Sequence, residues 1–88
     1  MAYVYILVSE KNKRYYIGST ENLDKRIKEH NFGKVISTKG WRPLKLAFKQ
    51  EYDNISAAQK VELHLKKLKR KDYIETIIRE GFIKIRKD

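Results

Sequence analysis

The first twenty residues contain two largely apolar runs separated by polar residues, a pattern that is typical of two β-strands joined by a tight turn. Residues 3–8 and 14–18 are mostly aromatic and β-branched, and residues 9–12 between them have turn chemistry. The pattern predicts a β-hairpin, and if those four residues form the loop, Tyr5 lies opposite Tyr16. Because the Cβ atoms of cross-strand neighbours lie about 5 Å apart, the two phenols would share one small patch.

A helical period follows the hairpin. Ser19 or Thr20 is a suitable N-cap, acidic residues in the first turn favour the positive end of the helix dipole, and Gly33 is a natural end point. Arg26 and His30 are four residues apart, so they project from the same side as the apolar stripe of this helix. We expect that side to meet the sheet.

The second half of the chain predicts an exposed loop, a strand and two more helices. The loop covers residues 35–43 and the strand 44–52, one helix opens at a capping box over 56–59, and the other opens at Asp72 and stops at Gly81. The residues expected to face the core share an apolar character and the period of their element: Leu44, Leu46, Phe48, Ala58, Val61, Leu65, Leu68, Ile74, Ile77 and Ile78.

The 88 residues are enough for one domain with an adequate core. A short strand is expected from Phe82 onward, and no stretch has the composition of a linker, a repeat or a low-complexity segment. Residues 1–88 are therefore expected to form a single α/β domain, more closely of the α+β type.

Charge narrows the choice of partner. Lys and Arg number 21 against 11 Asp and Glu, which gives a formal net charge of +10 and favours a polyanion, with nucleic acid first. The longest apolar run, residues 2–8, is too short to cross a membrane, and no signal peptide is visible. Because the chain also has no cysteine, we expect a cytoplasmic protein that needs no disulfide and does not engage a membrane.

Several residues occur together in a characteristic order: VYI at 4–6, YIGST at 16–20, Arg26 with His30 four residues on, and Glu62 on a later helix. In this order the chain resembles the GIY-YIG nuclease superfamily, and within it the small stand-alone members related to the nuclease domain of the bacterial excision-repair endonuclease. The resemblance implies a central three-stranded antiparallel sheet flanked by about three helices. It also implies hydrolysis of DNA phosphodiester bonds with one divalent metal, Mg²⁺ or Mn²⁺.

The resemblance assigns roles that fit the chemistry of these residues. Glu62 would be the sole protein ligand of the metal, which is sufficient for Mg²⁺ because that ion keeps several waters and takes few carboxylates. Arg26 would clamp the phosphate with a permanently charged fork. Tyr5 would be the general base and Tyr16 would position water or phosphate, while His30 would assist deprotonation or orient Tyr5.

Basic and aromatic residues outside this set are candidates for contacts with DNA. They are Lys39, Trp41, Arg42, Lys66, Lys69 and Arg70. The cations that follow Glu62 would attract a DNA backbone without reading sequence. Trp41 would stack on an unpaired base or anchor its loop.

Other interpretations of the same residues remain open. The tyrosines fit strand packing, His30 fits a favourable partner of a helix C-terminus, and Glu62 fits an ion pair with Lys66. The chain also departs from the family pattern, since Ser19 stands where repair-nuclease relatives often carry lysine and no asparagine follows Asn54.

Three functions therefore compete. The first is an endonuclease that acts on single-stranded, nicked or branched DNA and selects it by structure in repair or recombination. The second is a nucleic-acid-binding module with weak or no turnover. The third is a basic adaptor that docks on an acidic protein or the ribosome.

Overall fold

The computed structural model describes residues 1–68 and 70–83. Its elements follow in the order β1 (Ala2–Ser9), β2 (Tyr15–Thr20), α1 (Leu23–Asn31), a 3₁₀ helix (Ile36–Trp41), β3 (Leu44–Tyr52), α2 (Ile55–Leu68) and α3 (Lys71–Glu80). The strand expected from Phe82 onward falls mainly on residues 84–88, outside the described part of the chain.

The sheet has three antiparallel strands in the order β2-β1-β3, which confirms the expected α+β class. β1 is the central strand, and its residues are largely buried on both faces. One face is covered by α2 and α3 and the other by α1 and the 3₁₀ helix. A strand that is covered on both faces needs a nearly continuous apolar run, and this explains the composition of the N-terminus.

The predicted register of the hairpin is wrong by two residues. Tyr5 lies opposite Gly18, and Tyr16 lies opposite Leu7. Because side chains alternate with a period of two along a strand, the shift leaves both tyrosines on the same face of the sheet. The phenols are therefore diagonal neighbours rather than direct partners.

The longer loop of the hairpin causes this shift. The buried hydroxyl of Ser9 accepts hydrogen bonds from the backbone N–H groups of Lys11 and Asn12, each at 3.1 Å. The backbone N–H of Ser9 donates to the carbonyl oxygen of Arg14 at 2.9 Å, and Lys13 adopts a positive φ of 63°. The turn is thus held by a serine side chain, and this lengthens the loop beyond the four residues that the composition predicted.

β3 has the predicted bounds, but it does not present one apolar face. Ile6 pairs with Phe48, whereas the next residue, Leu7, pairs with Leu46, so one residue of β3 is left over as an irregularity of the bulge type. Phe48 consequently packs under α2 and α3, while Leu44 and Leu46 pack on the side of α1. The expectation that all three share one inward face is wrong.

The N-caps of α1 and α2 are asparagines. The side chains of Asn22 and Asn54 accept from the backbone N–H three residues on, at 3.2 and 2.8 Å. The predicted caps Ser19 and Thr20 belong to β2, and Ser56 lies inside α2. An asparagine oxygen satisfies the same orphan N–H groups as a serine or threonine would, so composition alone did not favour the observed caps over the predicted ones.

α3 starts one residue before the predicted position and stops where predicted. Arg70 is the N-cap without a capping side-chain hydrogen bond, and Asp72 lies in the first turn. Gly81 ends the helix with a φ of 84°, and its N–H donates to the carbonyl oxygen of Ile77 at 2.8 Å.

Leu68, which was expected in the core, is 37% exposed at the end of α2.

The segment predicted as an exposed loop, 35–43, contains the 3₁₀ helix instead. Lys39 and Arg42 are exposed, but the side chain of Thr38 is completely buried against α1. This turn therefore closes one side of the site described below. Within residues 1–68 and 70–83, no helix combines the length and the hydropathy that a membrane crossing requires.

Candidate active site

Three rings meet on the face of the sheet that α1 covers. The centroids of Tyr5 and Tyr16 are 6.4 Å apart, and the ring of His30 lies 5.8 Å from Tyr5 and 4.9 Å from Tyr16. We call Tyr5, Tyr16 and His30 the ring cluster. Tyr5 and His30 are fully buried in it, whereas Tyr16 is only partly buried.

A chain of hydrogen bonds runs through the buried part of the ring cluster. The hydroxyl of Tyr5 lies 3.0 Å from Nε2 of His30, and Nδ1 of His30 lies 2.8 Å from Oγ1 of Thr38. The Thr38 hydroxyl also lies 3.5 Å from the carbonyl oxygen of Val35, which can only accept. Arg26, beside Tyr5, can only donate.

These partners assign the protons of the chain. Because the Thr38 hydroxyl has the Val35 carbonyl as its acceptor, it must itself accept from His30, so that Nε2 is the unprotonated nitrogen and accepts the proton of Tyr5. The Nδ1–H of His30 in turn donates to the Thr38 hydroxyl. Thr38 is thus the group that sets which imidazole nitrogen is free to accept a proton.

Burial sets the charge state of both groups. Burial above all, and to a smaller degree the neighbouring Tyr16 and Glu62, raises the pKa of Tyr5 to about 12, although Arg26 opposes the shift. Burial and then the positive charge of Arg26 lower the pKa of His30 to about 4, against the opposing carboxylate of Glu29. At neutral pH the pair therefore consists of a protonated phenol and a neutral imidazole.

Arg26 lies at the rim of the ring cluster, as its position on α1 predicted. Its Nη1 lies 3.3 Å from Oε1 of Glu29, and its side chain is 37% exposed. Hydrogen bonding to the Tyr5 phenol is the main cause that raises the pKa of Arg26. The guanidinium therefore lies beside the buried phenol and remains open to an anion from solvent.

Glu62 approaches from α2, on the other side of β2. Its Oε1 accepts a hydrogen bond from the Ser19 hydroxyl at 2.5 Å, and its Oε2 accepts from Nζ of Lys66 at 2.6 Å. The same Nζ lies 5.8 Å from the ring centroid of Tyr16. Because β2 is an edge strand, the lysine can reach round it and connect the carboxylate with the ring cluster.

The donor atoms beside Glu62 fit a hard divalent cation. The Glu62 carboxylate and the Ser19 hydroxyl are adjacent oxygen donors, and Mg²⁺ prefers oxygen. No group of three or more His, Cys, Asp or Glu residues that could hold a metal occurs in the part of the chain that the structure describes. A metal here would therefore depend on water and phosphate for most of its ligands.

Sequence reasoning did not include Gly18 and Thr38 among the functional residues. A Cβ atom at position 18 would overlap the hydroxyl of Tyr5, so glycine is required for the phenol to lie against β2. A glycine inside a strand is a recognisable signal of such a close approach. Thr38 gave no signal, because an isolated threonine in an irregular segment is unremarkable.

The structure separates the candidate DNA-binding residues into two groups. Trp41, Lys66 and Arg70 line one groove between β2, α2 and α3. Lys39 and Arg42 lie outside this groove, where Nε of Arg42 donates to the carbonyl oxygen of Lys39 at 2.9 Å. The remaining candidate, Lys69, is outside the residues that the structure describes.

Comparison with known proteins identifies the family of this chain. The family model described as the GIY-YIG catalytic domain matches residues 1–75. Because this match spans most of the 88 residues, the chain belongs to the GIY-YIG catalytic-domain family. The family resemblance drawn from the sequence is confirmed.

The relatives are small proteins of the UPF0213 group. A UPF0213 protein of Syntrophus aciditrophicus is 40% identical over 77 residues, which cover 85% of this chain and 87% of the relative. One from Clostridium perfringens is 42% identical over 78 residues, which cover 88% of this chain and 83% of the relative. The solution NMR structure of a UPF0213 protein from Bacillus halodurans is 31% identical with a TM-score of 0.56, covering 92% of this chain and 87% of that one.

Proposed function

We propose that this protein is a divalent-metal-dependent endonuclease that hydrolyses DNA phosphodiester bonds, with single-stranded, nicked or branched DNA as its substrate. The observation that carries the proposal is the meeting of the ring cluster, Arg26 and the Glu62 carboxylate at the edge of β2. The net charge of +10 supports a polyanionic substrate. The setting we propose is DNA repair or recombination in the cytoplasm.

Two positive groups would hold the scissile phosphate. Arg26 presents its open side to phosphate oxygens and stabilises the charge that grows on them. A Mg²⁺ or Mn²⁺ ion held by Glu62, with the Ser19 hydroxyl beside it, would supply further positive charge for the phosphate and the leaving oxygen. The remaining chemistry, the removal of a proton from water, falls to the ring cluster.

Tyr5 acts as a proton relay rather than as a stable phenolate. A pKa of about 12 makes a free phenolate scarce at neutral pH. In the proposed step, Tyr5 accepts the proton of the attacking water while its own proton passes to Nε2 of His30, at 3.0 Å. Tyr16, the ring of the cluster that reaches the surface, orients that water. The leaving oxygen takes its proton from solvent.

A binding module without turnover is the second candidate, and one observation favours it. Both oxygens of the Glu62 carboxylate are already engaged, one by Ser19 and the other by Lys66. A metal would have to replace the lysine contact. A protein in which this exchange does not occur would still bind DNA through its basic surface.

Cleavage assays with matched variants separate the two functions. Labelled duplex, single-stranded, nicked and branched DNAs are incubated with Mg²⁺ or Mn²⁺ and wild type, Glu62→Ala or Arg26→Ala. Glu51→Ala and Arg79→Ala are the controls, because these charges are exposed and outside the site. Metal-dependent product that is lost in Glu62→Ala and Arg26→Ala but kept in both controls supports the nuclease. Binding without product on every DNA, unchanged in Glu62→Ala, supports the binding module.

A further inference from the structure

A groove lies on the face of β2 opposite to the ring cluster. Its volume is about 310 Å³, and Tyr15 and Ile17 of β2 border it. Leu65 of α2 and Ile74 of α3 also line it, and both side chains are at least 95% buried, so they form its floor. Pockets for small ligands occupy roughly 300 to 1,000 Å³, so the groove suits one small flat group.

The walls of the groove combine aromatic rings with cations. The guanidinium carbon of Arg14 lies 5.9 Å from the ring centroid of Trp41, and Nζ of Lys71 lies 6.0 Å from that of Tyr15. Neither Arg14 nor Lys71 forms an ion pair with another residue of the described chain. Burial and then the nearby carboxylate of Glu75 raise the pKa of the Tyr15 phenol, so that the ring stays neutral.

The groove and the candidate active site share a residue. Lys66 lines the groove, and the same side chain contacts Glu62 and approaches Tyr16. Tyr15 and Tyr16 are consecutive on β2 and therefore point to opposite faces, one toward the groove and the other into the ring cluster. A nucleotide whose phosphate lies at the edge of β2 thus has the groove within reach of its base.

We propose that this groove binds one unpaired base of the nucleic acid, next to the phosphate that is cleaved. An apolar floor with aromatic walls suits the face of a base, and the free cations beside it suit the adjoining phosphates. A base inside an intact duplex has no free face, so the groove selects a single-stranded or extrahelical nucleotide. The position beside a cleaved phosphate depends on the function proposed above, but base binding itself does not.

Fluorescence of 2-aminopurine tests the groove directly, because stacking on an aromatic ring quenches it. The probe is placed in a single strand, as an extrahelical base in a duplex, and in a fully paired duplex, and is titrated with full-length Glu62→Ala so that cleavage cannot interfere. Binding of the first two with quenching, and weaker binding of the paired duplex, is the expected result. Equal affinity for an abasic strand of the same length would overturn the proposal.

Variants that keep apolar bulk isolate the stacking. In the same background, Trp41→Leu and Tyr15→Leu should each weaken binding of the single strand by roughly 5- to 150-fold, as expected for the loss of one base–aromatic stack. Tyr52→Leu is the control, since Tyr52 is an aromatic residue that lines a different pocket near the start of α2. Equal affinity losses for the single strand and the paired duplex, or none in either variant, would contradict base binding.

The two proposals fail in different ways. If wild type never cleaves, but the probe in the single strand is still quenched and binding of that strand depends on Trp41 and Tyr15, the groove proposal stands and the nuclease proposal falls. If wild type cleaves all DNAs equally and Trp41→Leu changes neither cleavage nor binding, the nuclease stands and the groove proposal falls. Thermal unfolding of each variant shows that the changes are not caused by loss of the fold.

Discussion

Acidification should destabilise this protein through His30. The imidazole is completely buried, and its pKa falls from the ordinary 6.5 to about 4 in the folded state. Below pH 6.5 the unfolded chain therefore binds a proton that the folded chain does not. The stability contributed by the neutral imidazole is complete above that pH and is lost as the pH falls toward 4.

The size of the effect follows from the two pKa values. Between pH 7 and pH 5 the free energy of unfolding should decrease by about 2 kcal/mol, from the difference in proton binding of a single group. This interval lies above the range in which ordinary carboxylates titrate. The loss is therefore attributable mainly to histidine, of which the chain has two, His30 and the exposed His64.

Urea denaturation at pH 7 and pH 5 measures this loss, and histidine NMR signals report each pKa directly. The control His64→Gln should retain the full decrease, because His64 is exposed and lies outside the ring cluster. The variant His30→Gln should lose most of the decrease, whatever its absolute stability. A signal of His30 that titrates near pH 6.5, or an equal decrease in both variants, would refute the assignment of a buried neutral imidazole.

Three further substitutions test the geometry of the site. Gly18→Ala should displace the facing phenol of Tyr5, lower the free energy of unfolding by about 1 to 3 kcal/mol and abolish cleavage. The control Gly40→Ala has no atom within 4 Å of its new methyl group, so it should change neither thermal unfolding nor the cleavage rate. Thr38→Val leaves the buried N–H of His30 without its acceptor, so it should lower the free energy of unfolding by about 1 to 3 kcal/mol and shift the pH–rate profile. Thr38→Ser should restore both, and an unaltered profile in Thr38→Val would contradict a positioning role for Thr38. Lys66→Met frees one oxygen of Glu62 and should tighten Mn²⁺ binding in calorimetry while weakening DNA binding, and unchanged metal affinity would contradict competition between lysine and metal.

Much of the fold was predictable because the relevant signals are local. The central strand is a continuous apolar run, β3 has its predicted bounds of Leu44–Tyr52, and Gly81 ends α3 in the left-handed conformation that favours glycine. The caps were less predictable, since serine, threonine, aspartate and asparagine all satisfy the same N–H groups. The observed cap Asn22 can then be distinguished from the predicted cap Thr20 only by where the strand ends.

The sequence predicted a set of site residues, but it did not predict how they contact one another. Five residues were identified as candidates by their order in the chain: Tyr5, Tyr16, Arg26, His30 and Glu62. The structure places them around the edge of β2. Their catalytic roles, like the single-domain expectation for residues 1–88, remain predictions. The buried partner of His30 could not be foreseen, because its contact joins α1 to a 3₁₀ turn that composition described as an exposed loop.

The sequence by itself determined the three strands of the sheet, the three α-helices, the common face of the two tyrosines, the basic charge and the family. Only the tertiary structure decided the hairpin register, the irregularity that divides β3 between two faces, the burial of Thr38 and the closeness of the groove to Glu62. The physical reason is the distance along the chain over which each kind of interaction acts. Propensity and periodicity act over a few neighbouring residues, whereas register, burial and proton sharing depend on contacts between segments far apart in the chain.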